Sequence, residues 1–175
     1  MTNRTFATVI ALVLVAAAAA SRIVPHPWNF TPMIACALFG GARLKHTWTA
    51  GLATLGCLAL GDLALDAFPY AGMGWVYATM LVIVLVGRLL RSHPSAGATL
   101  AGALGAGALF FVVTNFGVWA SSGLYEHTAA GLAQCFSAGI PFYRNQVLGD
   151  LIFTGAFFGL HALAMRLHDR QPAPI

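Results

Sequence analysis

Charge is what this sequence has least of. Nine of its 175 residues are Lys or Arg and five are Asp or Glu, 8% in all, against about a quarter in a soluble domain. Cysteine is nearly absent too. Three cysteines, an odd number with no CxxC pair, give no disulfide framework and no thiolate metal site. Cys36 and Cys57 lie inside apolar runs, where a thiol packs as a small hydrophobe. The chain has no GxxxxGK[ST] phosphate loop and no HExxH zinc pair. Its basic residues are scattered and form no patch for nucleic acid. No cofactor or metal is expected.

What the chain has instead is oil: 59% hydrophobic residues and a mean hydropathy of +0.79. A bilayer crossing takes roughly 20 apolar residues, so 175 residues allow about six crossings and no soluble domain. The expectation is an all-α integral membrane protein, residues 1–175 forming a single transmembrane domain.

Taken in order, an apolar run follows Arg4. Ala18-Ala19-Ala20-Ser21 resembles a signal-peptidase site. The spans that follow need an orienting first helix, and the Ala7/Ala11 and Ala16/Ala20 spacings suit helix packing, so the reading is a retained helix from Thr5 to Ile23. Pro25, Pro27 and Pro32 then interrupt helical structure. Thr31 to Ala42 resumes as a short second helix, either covered by its neighbours or re-entrant. The third span is Thr47 to Leu65, the fourth Trp75 to Leu90, the fifth Ser95 to Val113 and the sixth Val147 to Leu167. Between the last two, Thr114 to Arg144 is of mixed polarity and is expected to form a long structured outer loop.

The basic residues set the orientation. With a cytoplasmic N-terminus, the inner side receives Arg4, Arg43, Lys45, Arg88, Arg91, Arg166 and Arg170, and the outer side keeps only Arg22 and Arg144. The asymmetry predicts a multi-pass protein of a bacterial inner membrane with both termini in the cytoplasm. It also gathers the His26 segment, the Asp62 to Gly74 turn and the Thr114 to Arg144 connection on the outer side.

Several residues there are candidates for binding a small molecule. Arg144 and Asp150 flank the start of the sixth span, and an ionisable group near hydrocarbon is costly unless paired or wetted; the plainer account has Arg144 reaching the headgroups. Asp62 and Asp66, four apart on one helical face, need partners such as Arg144 or Arg22, and Asp62 lies deeper. His26 stands between two prolines. His26 and His127 lack the fixed spacing of a metal site. Trp28, Phe30, Trp75, Tyr77, Trp119, Tyr125 and Tyr143 are expected near the outer boundary, either as an interfacial aromatic belt or as the walls of a pocket. Asn29, Asn115 and Asn145 supply polar groups among them. Ser121, Ser122 and His161 invite a serine hydrolase, but His161 is expected near the inner end of its helix, out of reach of the serines.

Three stretches, PHPWNFTPMIACALFGGA, TNFGVWASSGLY and IPFYRNQVLGDLIFTGAFFG, resemble a bacterial membrane family of the DUF6580 type. That family is similar to the substrate-binding S components of energy-coupling factor vitamin transporters. The resemblance implies a six-helix bundle whose outward cavity binds a micronutrient, with an energy-coupling factor subunit and its ATPases as possible partners. The solitary cobalamin transporters of that superfamily are the comparison, and by likeness of context His26, Asp62, Tyr77 and Arg144 take the positions of polar binding residues. The cysteine that can ligate cobalt there has no counterpart between Asp62 and Trp75.

The expected function is therefore uptake of a small organic micronutrient, vitamin-like, with cobalamin as the candidate. The expected substrate-binding residues are His26, Trp28, Asn29, Asp62, Tyr77, Asn115, Trp119, Tyr125, Arg144, Asn145 and Asp150. The rival readings are a non-transporting scaffold or assembly factor and, further off, an intramembrane enzyme. A cavity beneath the outer segments favours uptake, and a flat apolar outer surface favours docking.

Overall fold

The structure, a computed structural model, describes residues 3–21, 24–67, 69–93 and 95–170. Among them are six helices and no strand: α1 (Asn3–Ser21), α2 (Met33–Arg43), α3 (Thr47–Ala64), α4 (Met73–Leu90), α5 (Ala96–Ser121) and α6 (Ala129–Asp169). Three of them, α4, α5 and α6, are long and apolar enough to cross a bilayer, the mark of a membrane protein. Leu52, Leu60, Leu85, Leu104 and Ile152 face outward, as lipid-contacting side chains do and as a soluble surface avoids.

The shortest helix lies at the centre. Every residue of α2 from Met33 to Ala42 is buried, and α2 packs against all five of the others. The short helix expected over Thr31 to Ala42 forms, and its neighbours cover it. Two glycines set its closest approach. A Cβ on Gly41 would fall on the carbonyl oxygen of Val84, and one on Gly87 would fall on that of Leu38. The backbones of α2 and α4 therefore touch reciprocally, which only residues without side chains permit.

Arg43 at the end of α2, Ala96 at the start of α5 and Arg166 near the end of α6 line one cavity, which brings these helix ends together. The Arg88 and Arg91 guanidiniums both donate to the Leu44 carbonyl, at 3.2 and 3.3 Å, joining the ends of α2 and α4. Phe6 stacks on His168 with ring centroids 4.2 Å apart, bringing the start of α1 to the end of α6. This end is basic. At the other end lie the 24–32 strap, the α3–α4 turn and the α5–α6 turn.

The long outer loop expected over 114–144 does not form. α5 continues to Ser121, α6 begins at Ala129, and only residues 122–128 connect them. Polarity did not stop the helix because the side chains bond back to their own turn. Thr114 and Asn115 donate to the carbonyls of Phe110 and Phe111 at 2.7 and 2.8 Å, and Ser121 and Ser122 to those of Gly117 and Val118 at 2.5 and 2.6 Å. Gly123, at φ 69°, turns the chain. Thr128 then caps α6 by accepting from the Gly131 amide at 3.1 Å. Pro141 is carried inside α6. The first helix is formed as far as the described residues reach, to Ser21; Arg22 and Ile23, the expected end, lie outside the described residues, and so do the side chains of Arg4 and Ala7.

Candidate functional site

The strap that follows α1 is built by its prolines and one asparagine. The Phe30 amide donates to the Pro27 carbonyl at 3.0 Å, closing a turn over Pro27 to Phe30. Asn29 takes the left-handed position of that turn with φ 59°, a conformation asparagine tolerates better than other residues with a Cβ. The strap is pinned to α6. The Asn145 amide donates to the Trp28 carbonyl at 3.1 Å. Phe30 meets Phe153 at 5.3 Å between centroids, and Gly149 lets the Phe30 backbone approach.

Two hollows lie against this strap. One, of about 220 Å³, runs between the strap and α3, α4, α5 and α6; its polar lining is Asn29, Thr31, Tyr70, Gln146 and Asp150, and Leu58, Met80 and Phe110 form its oily walls. The other, of about 260 Å³, lies on the α5 side and is lined by Trp28, Asn29, Thr114, Asn115, Phe142 and Gln146 among others. Asn29 and Gln146 belong to both, so the two hollows are neighbours across that pair.

Gln146 and Asp150 form the polar centre. They are four residues apart on α6 and so share one face. Both are buried, at 4% and 2% exposure. The Gln146 amide nitrogen donates to the Gly107 carbonyl of α5 at 2.9 Å and lies 3.4 Å from Asp150 Oδ2. A Cβ at Gly107 would meet that same carboxylate oxygen at 2.6 Å, so the glycine makes room for it. Asp150 Oδ1 is buried with no hydrogen-bond partner among the described residues. A buried acceptor without a donor is costly, and a bound donor would relieve that cost. No Lys, Arg or His lines either hollow.

The residues singled out from the sequence divide accordingly. Asn29 and Asp150 come together in the first hollow, and Trp28, Asn29 and Asn115 in the second. Asn145 holds the strap. Asp62 is buried and accepts from Tyr77 Oη at 2.9 Å, tying α3 to α4. Trp119 donates its indole N–H to the Glu126 carbonyl at 2.9 Å and packs on His127, which closes the turn that also contains Tyr125. His26 and Arg144 are exposed. None of Asp62, Tyr77, Trp119, Tyr125, Asn145, His26 or Arg144 lines the two hollows. Gln146, Thr31 and Tyr70 were missed. The i, i+4 spacing to Asp150 was the signal that could have found Gln146; Tyr70 reaches the hollow through a turn whose course no local pattern fixes.

A family model described as a family of unknown function, DUF6580, matches residues 2–173. No curated protein and no solved structure matches the chain.

Proposed function

The chain belongs to the DUF6580 family, and from that footing we propose that it is a membrane substrate-binding protein for the uptake of a small organic micronutrient, of the S-component type. In this reading six helices cross a bacterial inner membrane, both termini are cytoplasmic, and the Asn29–Gln146–Asp150 end faces outward. The gathering of Arg43, Arg88, Arg91 and Arg166 at the opposite end supports that orientation, since Lys and Arg are retained on the cytoplasmic side. Release inward requires rearrangement of the bundle and, if energy is used, a coupling subunit with ATPases.

The observation that carries the reading is the buried, half-partnered carboxylate of Asp150 in the wall of a hollow with apolar sides. An ionisable group in that setting is a functional group by default, and the hollow favours binding over a docking scaffold. Each hollow is somewhat smaller than the roughly 300 Å³ at which drug-sized pockets begin. The solute is therefore compact, smaller than a corrin, and carries an N–H donor for Asp150 Oδ1. Asn29 and Gln146 offer amide contacts beside it, and Tyr70 and Met80 cover its faces.

Native mass spectrometry of protein purified in mild detergent tests this. The expected result is a small-molecule adduct on the unaltered protein, reduced at least tenfold in Asp150→Asn. An adduct retained in full by both Asp150→Asn and Gln146→Ala would overturn the site.

A further inference from the structure

Another cavity lies at the opposite, basic end. It measures about 550 Å³ and opens between the ends of α4, α5 and α6. Arg43 and Arg166 line it, and α5 begins at its mouth with Ala96, adding the positive end of a helix dipole. No carboxylate lines it among the described residues.

The arginines at this end have different work. Arg88 and Arg91 are spent on the Leu44 carbonyl. Arg43 turns away from it: its guanidinium carbon lies 5.2 Å from the Phe158 ring centroid, and its Nε is buried with no hydrogen-bond partner among the described residues. Thr154 lines the same cavity, 3% exposed, with its Oγ1 also unpartnered. Both residues line the cavity, one from α2 and one from α6. Glycine keeps the space open. At Gly155 and Gly159, one helical turn apart, no atom lies within 4 Å of where a Cβ would sit. Small residues at that spacing normally draw a neighbouring helix close. Leu100, half exposed, stands at the rim, and Leu151 and Phe158 line the interior.

We propose that this cavity seats a phosphate-bearing amphiphile, its anionic headgroup at Arg43 and Arg166 near the ends of α2 and α6 and its acyl chain running inward along Leu100, Leu151 and Phe158. Arginine matches phosphate oxygens with paired N–H donors, and basic pockets between membrane helices on the cytoplasmic side take anionic headgroups. The apolar walls distinguish this site from one for a free anion, which would gain nothing from them.

The unaltered protein, titrated with phosphatidylglycerol, phosphatidylcholine or inorganic phosphate and followed by native mass spectrometry, decides the matter without relying on a variant. The expected result is a single saturable phosphatidylglycerol adduct, at least tenfold tighter than phosphatidylcholine and absent with phosphate. Equal retention of the two lipids, or saturable binding of phosphate alone, would overturn the proposal. Arg43→Gln and, with both arginines in place, Gly159→Leu are each expected to weaken phosphatidylglycerol at least fivefold. Full retention by both would equally overturn it. Asp150→Asn is expected to leave the lipid adduct unchanged, so failure of this site and failure of the solute site are separable.

Discussion

The shortest and the longest helices of this protein divide its work. α2 has 11 residues and is buried from Met33 to Ala42, whereas α6 has 41, of which nine are buried. The buried set of α2 is apolar or backbone-like, its glycines and alanines letting α4 and the rest come close. That of α6 includes Gln146, Asp150, Thr154 and His161. Stability is concentrated in the short helix and polar chemistry in the long one. In a bundle whose outside is as oily as its inside, length ranks α6 above α2 as a span and says nothing about which one the fold is built around.

Substitutions can break or sharpen that division. The largest effect is expected at the α2–α4 contact. Gly41→Ala sets a Cβ on the Val84 carbonyl and within 3.0 Å of the Arg88 nitrogen, and backbone cannot yield as a side chain does. A loss of about 3 kcal/mol or more is expected, visible as a large fall in melting temperature in detergent or as aggregated protein. Gly56→Ala, with nothing within 4 Å, is the control and should melt as the parent does or slightly higher. Equal melting of the two variants would mean that α2 is not the keystone.

On α6 the expected cost is smaller and of another kind. Gln146→Ala removes the buried side-chain hydrogen bond to the Gly107 carbonyl and the packing of the side chain, together worth about 1–3 kcal/mol, and should lose the small-molecule adduct while remaining monodisperse. A variant that melts normally and keeps its adduct would move the chemistry off α6. Smaller again is Thr128→Ala, which removes the cap on Gly131 and should cost about 1 kcal/mol. Faster amide exchange confined to the first turn of α6 is its signature, and exchange unchanged there would mean that the turn is held by Trp119 alone. The smallest effect is expected at Arg144, which is exposed and outside both hollows. Arg144→Ala should change stability by less than about 0.5 kcal/mol and leave the adduct in place. Loss of the adduct would return Arg144 to the binding site that sequence reasoning gave it.

Much of the helical plan was legible because prolines and basic residues punctuate it. Pro25 to Pro32 and the Arg43–His46 cluster bracket α2, and α3 and α4 fall within two residues of their expected limits. The connection after α5 was not legible. Thr114, Asn115, Ser121 and Ser122 read as loop residues when each is counted as polar, but each can satisfy itself within a helix, and composition does not reveal which will happen. The candidate site was half legible for a related reason. Asp150 and Asn29 stand out in an oily sequence. Whether Asp62 finds an arginine or a tyrosine depends on how α3 meets α4, a contact between residues 15 apart in the chain.

One adjacency within α6 links the two ends of the molecule. Asp150 borders the small hollow under the strap, while Leu151, the very next residue, borders the large basic cavity. Successive residues of a helix point about 100° apart, so a single turn of α6 is the partition between two chambers. Any roll of that helix that widens one chamber shifts a wall of the other.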